Sequence, residues 1–119
     1  MKNLILAIAA IIIFIILEPI NFIYVNFFMK KFHWKRLSGY YRAYAVGSDR
    51  FGNYTYRSLF NAVLIKEDGY KFGNFTETIS SVLGKNQRSD TLTKTGKILV
   101  KILDTIDKDH CKKSIFELQ

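Results

Sequence analysis

The sequence predicts an α+β protein: a single N-terminal transmembrane helix followed by a small domain of one β-hairpin and two or three helices. Three observations support this. An apolar run extends from Leu4 to Met29, two stretches rich in β-forming residues flank a turn-like segment, and apolar residues recur at helical spacing beyond residue 74. The predicted divisions are a signal-anchor at 1–30, a basic juxtamembrane stretch at 31–38 and a domain at 39–119.

The apolar run predicts a membrane anchor. A bilayer core about 30 Å thick needs roughly 20 apolar residues of helix, and the run holds one charge, Glu18, and one proline, Pro19. A carboxylate deep in the membrane costs about 2.5–3.5 kcal/mol, whereas each Ile, Leu or Phe contributes about 0.3–0.6 kcal/mol, so insertion is favoured. A retained anchor is preferred over a cleaved signal peptide because no small-x-small site follows the run.

The flanking charges predict the orientation of the anchor. The residues expected at the membrane interface are Lys30, Lys31, Trp34, Lys35 and Arg36. Only Lys2 and the amino terminus compete at the other end, and the more basic side tends to stay in the cytoplasm. We therefore predict a single-pass protein with a cytoplasmic C-terminal domain. A lone cysteine, Cys111, agrees with a reducing compartment.

Residues 30–119, which follow the apolar run, are basic and carry the whole formal net charge of +8. This charge suits three partners: an anionic membrane leaflet, a protein with an acidic surface, or nucleic acid. A solvated lysine-rich face is the simpler interpretation for most of these side chains.

The predicted hairpin pairs residues 39–47 with residues 54–60, and Gly52-Asn53 marks the turn between them. In strands of period two, aromatic and arginine side chains share a face. They are candidate nucleic-acid contacts: Arg42, Tyr44, Tyr56 and Arg57. The competing interpretation is that these aromatic residues form ordinary cross-strand pairs.

Two helices are predicted after the hairpin. Asn74 and Glu77 have the spacing of a capping box, Ile79, Val82 and Leu83 form one apolar face, and Gly84 ends the first helix. The second helix is capped by Thr91 or Thr93 and runs to about Asp109. Its predicted apolar stripe is Ile98, Leu99, Ile102, Leu103 and Ile106, with Lys94, Lys97, Lys101 and Lys108 beside it. Such a face suits packing on a core or a membrane surface.

Four residues near the C-terminus are candidates for catalysis or metal binding: Glu77, Asp107, His110 and Cys111. These residue types are plausible zinc ligands, and a cysteine with a histidine base is a possible nucleophile. Structural roles are the preferred explanation, because ligand-type residues alone do not define a metal site: Glu77 as a cap, His110 at a helix end and Cys111 as a small buried side chain. We therefore predict no catalytic residue, no metal and no cofactor, with zinc as the alternative.

The C-terminal half resembles a group of small proteins of bacteriophages and prophages. The pattern consists of Glu77-Thr78-Ile79-Ser80-Ser81, Gly84-Lys85, Leu103-Asp104, Asp107, His110-Cys111 and Ile115. Upstream, the segments Asp49-Arg50-Phe51-Gly52-Asn53, Arg57 and Leu59-Phe60-Asn61 are similar to a subset from phages of Bacteroidetes-type hosts. The resemblance covers roughly residues 40–116, and this chain departs from the pattern at Thr76, where the group usually has Asp.

The resemblance implies a phage origin and no particular reaction. With the anchor, it leads us to expect a bacteriophage accessory protein in the inner membrane of the host, binding a host or phage partner there. The alternatives are a tethered nucleic-acid binder, or a metal or thiol enzyme that uses Glu77, Asp107, His110 and Cys111.

Overall fold

The computed structural model describes residues 1–29 and 31–115, and throughout these residues the regular structure is helical. The elements are α1 (Lys2–Ile23), a π-helical turn (Tyr24–Phe28), α2 (Trp34–Thr55), α3 (Arg57–Val63), α4 (Ile79–Arg88), α5 (Lys94–Ile106) and α6 (His110–Lys113). An isolated antiparallel bridge joins Ile65 to Leu92. The predicted α+β class is therefore wrong.

The chain divides into two compact units, Met1–Ala43 and Tyr44–Gln119. The first unit contains α1, the π-helical turn and the start of α2. The second contains the rest of α2 and the helices α3 to α6.

In the first unit, one apolar helical segment, Lys2–Phe28, has 27 residues and is long and apolar enough to cross a membrane. None of its most apolar stretch is buried within the chain. At about 1.5 Å per residue, 27 residues extend roughly 40 Å, which exceeds the hydrocarbon core of a bilayer. A membrane anchor and an N-terminal signal sequence both satisfy this criterion.

The acidic residue of α1, Glu18, has a partner that the sequence did not reveal. The hydroxyl of Tyr40 donates to Oε1 of Glu18 at 2.5 Å, and the Tyr40 ring lies edge-on to Phe22 at 5.6 Å. The start of α2 therefore packs beside the end of α1 within this unit. Buried carboxylates are tolerated when they accept hydrogen bonds, so Tyr40 reduces the cost of Glu18 in an apolar helix.

The predicted β-hairpin is helical, and its supposed turn lies inside α2. Gly52 is buried against Ile79, whose Cδ1 would lie 2.9 Å from a side-chain Cβ at position 52. Asn53 is fully buried, donates to the carbonyls of Asn74 and Glu77 at 3.1 and 2.7 Å, and accepts from the amide of Gly73 at 2.9 Å. Gly52 therefore permits close packing, and Asn53 cross-links α2 to the segment before α4. Both roles depend on tertiary contacts, which local propensity does not predict.

The helix α4 begins and ends later than predicted. Thr78 caps it by accepting from the amide of Ser81 at 3.0 Å, and the helix continues past Gly84 to Arg88. A Cβ on Gly84 would collide with the carbonyl of Cys111 in α6. Gly84 therefore permits a close approach of two helices rather than a helix end. The predicted apolar face is confirmed: Val82 and Leu83 are fully buried, and Ile79 packs against the core.

The helix α5 is capped by Thr93, as one of the two alternatives predicted, with the Gly96 amide donating to its hydroxyl at 3.1 Å. It ends at Ile106, earlier than the predicted Asp109, which adopts a left-handed conformation with φ 55°. Only part of the predicted stripe packs on the core, namely Leu99 and Leu103. The exposed part consists of Ile98, Ile102 and Ile106.

The core of the second unit is small and lies between α4, α5 and the segments around them. Its buried apolar residues are Leu64, Ile65, Phe72, Val82, Leu83, Leu92, Val100 and Cys111. Buried polar side chains are equally prominent in this unit, notably Asn53, Glu77, Ser81, Lys85 and Asn86. A core of this size depends heavily on satisfying those polar groups.

Candidate functional site

Glu77 belongs to a buried ion-pair cluster with Tyr70, Ser81 and Lys85. The Lys85 Nζ lies 2.6 Å from Glu77 Oε2, which also accepts from the Ser81 hydroxyl at 2.6 Å. Oε1 accepts from the Tyr70 hydroxyl at 2.9 Å, and the ammonium of Lys85 lies 4.3 Å from the centre of the Tyr70 ring. Glu77 itself is only 1% exposed. It is not the helix-capping residue that the sequence predicted.

The cluster changes the titration of two of its members. Burial, followed by the hydrogen bond to Glu77, raises the pKa of Tyr70 above 10.0. For Lys85, burial lowers the pKa, but the hydrogen bond and the charge of Glu77 outweigh it, so its pKa stands above 10.5. At neutral pH Lys85 is therefore an ammonium and Tyr70 a neutral phenol. The hydrogen bonds of the cluster occupy both carboxylate oxygens, which suits a structural clamp better than a ligand or a base.

His110 lies in a second polar chain that joins α2, α4 and α6. Its Nε2 is 3.1 Å from the Ser80 hydroxyl, and its Nδ1 is 3.1 Å from Asp107 Oδ2. The predicted proximity of Asp107 and His110 is thus confirmed. Lys113 donates to the other oxygen of Asp107 at 2.8 Å, and these two partners, Lys113 first, lower the pKa of Asp107.

Ser80, His110 and Asp107 have the order of a hydrolytic triad, but the Ser80 hydroxyl has a second partner in Asp49 and is buried. Ser80 donates to Asp49 Oδ2 at 3.1 Å, and Asp49 Oδ1 accepts from the Ile79 amide at 3.0 Å. The Ser80 hydroxyl is thus held between Asp49 and His110. Ser80 is also only 4% exposed. The arrangement instead cross-links α2, α4 and α6.

Cys111 is enclosed in the second unit and does not have the properties of a nucleophile. Its side chain is 0% exposed. Burial, with smaller contributions from Asp104 and Asp49, raises the pKa of Cys111 to about 12. Since the thiolate is the reactive form, the predicted alternative of a thiol enzyme finds no support in this geometry.

The four residues predicted as an alternative metal site are separated into different clusters. Glu77 is bound to Lys85, His110 and Asp107 contact each other, and Cys111 faces the core. Among residues 1–29 and 31–115, no group of three or more His, Cys, Asp or Glu side chains is placed to hold a metal ion.

The predicted nucleic-acid contacts do not share a face in the way a strand would arrange them. Arg42 and Tyr44 lie on α2, in the first and the second unit respectively, and not on a strand. Tyr56 follows α2 and lies against Phe60, with ring centres 6.0 Å apart. Arg57 is turned toward Tyr54 rather than Tyr56. Nucleic-acid binding through these residues therefore stays a sequence-based prediction.

The predicted membrane-interface residues flank the start of α2. Lys31, Trp34 and Lys35 are exposed, and Arg36 donates to the carbonyl of Lys31 at 2.5 Å. Lys30 lies outside the described residues. Trp34 stands edge-on to Phe32 at 5.1 Å, an aromatic pair of the kind found at the edge of a membrane.

An exposed cluster of Tyr54, Arg57 and Phe75, here called the aromatic cluster, was not anticipated as a unit. The rings of Tyr54 and Phe75 meet edge to face at 5.7 Å. The Arg57 guanidinium lies 4.5 Å from the centre of the Tyr54 ring and donates to the Tyr54 carbonyl at 2.7 Å. Phe75 and Tyr54 are 57% and 45% exposed. The spacing of Tyr54 and Arg57 signals this contact only if the segment is taken as helical.

A shallow cleft of about 470 Å³ lies beside α5. Its lining includes two lysines, Lys97 and Lys101, and two acids, Asp90 and Asp104. Because side chains of both charges line the cleft, its charge does not indicate one class of ligand.

Comparisons with known proteins do not indicate a function for this chain. No protein-family model, curated protein or solved structure matches the chain. The function must therefore be argued from the apolar helix, the charges and the exposed surfaces described above.

Proposed function

We propose that the protein is a single-pass, membrane-anchored binding protein whose helical second unit recognises a protein partner at the membrane. The observation that carries the proposal is the exposure of the apolar helix Lys2–Phe28, none of whose most apolar stretch is buried within the chain. Burying one Leu, Ile or Phe side chain is worth about 1.5–3 kcal/mol. A helix lined with many of them requires an apolar environment, and its length suits a bilayer.

The flanking charges support a cytoplasmic second unit. Lys31 and Lys35 are exposed on the C-terminal side of the apolar helix, and Lys2 lies on the other side. Basic residues close to a membrane segment are retained in the cytoplasm. The resemblance to phage and prophage proteins supports the inner membrane of a host bacterium as the location.

The aromatic cluster supports a protein as the partner. Tyr, Trp and Arg side chains dominate the residues that contribute most to protein–protein binding. The Tyr54 ring is fixed on both sides, by Phe75 at 5.7 Å and by Arg57 at 4.5 Å. The side chain of Asn53, which precedes Tyr54, also donates to the carbonyl of Asn74, which precedes Phe75. Such fixing reduces the entropy that binding would otherwise cost.

The residues that could have served catalysis have structural partners instead. Glu77 pairs with Lys85, His110 bridges Ser80 and Asp107, and Cys111 is enclosed with a pKa of about 12. These interactions favour a binding protein over a metal or thiol enzyme.

Site-specific photo-crosslinking in the full chain tests the proposal. A photoreactive phenylalanine replaces Phe75, and a matched control carries it at Ser58, which is exposed on α3. We expect position 75 to yield a discrete adduct in the membrane fraction, and Arg57→Glu to reduce it by about tenfold, which corresponds to about 1.4 kcal/mol. An adduct of equal strength at position 58, or none at 75, contradicts the proposed surface.

A further inference from the structure

We propose that α5 docks on the anionic lipid surface of the membrane through the isoleucine ridge, defined as Ile98, Ile102 and Ile106. This inference rests on the proposed membrane anchoring, and it adds a second, reversible membrane contact made by the second unit. The ridge is separate from the aromatic cluster, which is assigned to a protein partner.

The ridge is a continuous exposed surface of one helix. Its members are four residues apart and are 61%, 53% and 79% exposed. At about 1.5 Å per residue, Ile98 and Ile106 are roughly 12 Å apart along α5. Isolated exposed apolar residues need no explanation, but an aligned row of large ones indicates an interaction surface.

The opposite side of α5 fixes the orientation of the ridge. Val100 and Gly96 are buried, and a Cβ on Gly96 would collide with the carbonyl of Leu64. Leu99 and Leu103 pack against the core. Since this face is committed to the interior of the unit, the ridge must point outward as long as the unit is folded.

Lysines edge the ridge along one side. By helical spacing, the three lysines of α5, Lys94, Lys97 and Lys101, fall within about 100° of Ile98 on that side. All three are exposed, and none makes an ion pair within residues 31–115. Asp107 pairs with Lys113 and His110, and Asp104 accepts from the amide of Cys111 at 3.5 Å. Asp90 and Asp104 line the same cleft as Lys97 and Lys101, but neither forms an ion pair with these lysines within the described residues. The edge of the ridge is therefore free to meet anions.

This composition favours lipid over protein as the occupant. Lysine is depleted from the centres of protein interfaces, whereas lysine beside a row of apolar side chains is typical of helices that lie in the membrane interface. Each lysine near an anionic leaflet adds to the attraction, while its methylene stem can cover apolar surface. The anchor would keep the ridge at high effective concentration near the bilayer.

The test uses the full chain reconstituted in vesicles of phosphatidylcholine, with or without phosphatidylglycerol. Ile102→Cys carries an environment-sensitive fluorophore, and Ser58→Cys on α3 is the matched position. Because Cys111 is 0% exposed with a pKa of about 12, it should not compete for the label. Ile98→Cys repeats the measurement at a second ridge position, in case one variant folds poorly.

With phosphatidylglycerol present, we expect lipid-borne quenchers to quench the label at position 102 about twofold or more over that at position 58. Salt at about 1 M, where the Debye length is about 3 Å, should reduce the difference. Exchanging all three edge lysines for glutamine should remove it, whereas glutamine at Arg50, Lys71 and Lys112, which are exposed elsewhere, should not.

Two results would overturn the inference. The first is a label at position 102 that stays as water-exposed as that at position 58 in anionic vesicles. The second is shielding that occurs only in native membranes and not in protein-free vesicles, which would assign the ridge to a protein. Flotation of the same vesicles separates the two proposals: protein that does not float contradicts the anchoring, and floating protein with an exposed ridge contradicts only the lipid docking.

Discussion

The ammonium of Lys85 lies 2.6 Å from the carboxylate of Glu77, in a pair whose side chains are 9% and 1% exposed. Glu77 lies just before α4 and Lys85 lies within it, so the pair ties the segment before α4 to the helix itself. A buried pair of this kind is held in place by its neighbours, and removing one partner leaves a buried charge without its counter-ion.

Replacing Lys85 alone should therefore destabilise the second unit strongly. We expect Lys85→Met to lower the free energy of unfolding by about 3–5 kcal/mol. The double variant Glu77→Gln/Lys85→Met should recover much of this loss, because it removes the buried charge and keeps the contacts with Tyr70 and Ser81. Urea titration of the full chain in detergent measures the stability of both variants, with the exposure of Cys111 as the readout of unfolding. Strictly additive effects would show that the two residues are not coupled.

Stability should also fall at alkaline pH in a way that depends on Tyr70. The pKa of Tyr70 is raised above 10.0 and that of Lys85 above 10.5. Their contribution is fully present below the unfolded-state values and is lost as the pH rises through the folded-state values. We expect the urea midpoint, followed by circular dichroism, to fall above about pH 10.

The variant Tyr70→Phe isolates this contribution. Cys111, whose pKa of about 12 is also raised, adds a decline of the same sign in wild type and variant alike. The variant should lose less stability between pH 9 and 11.5 than the wild type does. Parallel pH profiles for the two proteins would contradict the assigned role of the tyrosine.

Two glycine variants test the close packing of α4 on α6. Gly84→Ala places a methyl group against the carbonyl of Cys111, and overpacking of this kind costs about 1–3 kcal/mol. Gly47 lies inside α2 with no neighbour within 4 Å of an added Cβ, so Gly47→Ala should stabilise by about 0.5–1 kcal/mol. Thermal unfolding of both variants gives the comparison. Equal effects at the two positions would argue against the close approach.

The thiol of Cys111 should be inert in the folded chain. Its burial and its pKa of about 12 keep the reactive thiolate scarce and inaccessible. We expect an alkylating reagent at pH 8 to modify the native protein about 100-fold or more slowly than the urea-unfolded protein. Labelling at the same rate in both states would place Cys111 outside a stable core.

Local sequence predicted α1, α4 and α5 approximately, whereas α2 and α3 were wrongly predicted as a β-hairpin. The Ile79, Val82 and Leu83 face and the Thr93 cap follow from spacing, and the N-terminal helix follows from the length of its apolar run. These features depend on local sequence, so a single sequence contains the necessary information.

The errors come from contacts between distant parts of the chain. Gly52 and Asn53 have the composition of a turn, yet Ile79 and the carbonyls of Asn74 and Glu77 give them a role inside a helix. Glu77 had the spacing of a cap, but Lys85 and Tyr70 draw it into the interior. In each case a tertiary contact overrides a weak local preference.

The exposed ridge shows a different limit of sequence analysis. The stripe predicted on α5 spans more of the helix surface than the small core can cover. Leu99 and Leu103 are packed, whereas Ile98, Ile102 and Ile106 remain outside. Hydrophobic spacing shows that a helix has an apolar side, but it does not show how much of that side the rest of the domain covers.

The central claim is that the N-terminal apolar helix remains attached and holds the protein in a membrane with its second unit in the cytoplasm. One measurement tests this most directly: full-length protein fused at its C-terminus to a reporter that functions only in the cytoplasm, with the size of the product determined by intact mass spectrometry. We predict an intact chain that resists extraction by salt and carbonate and carries an active reporter. A product lacking the residues of α1, or an inactive reporter on an intact chain, would contradict the account.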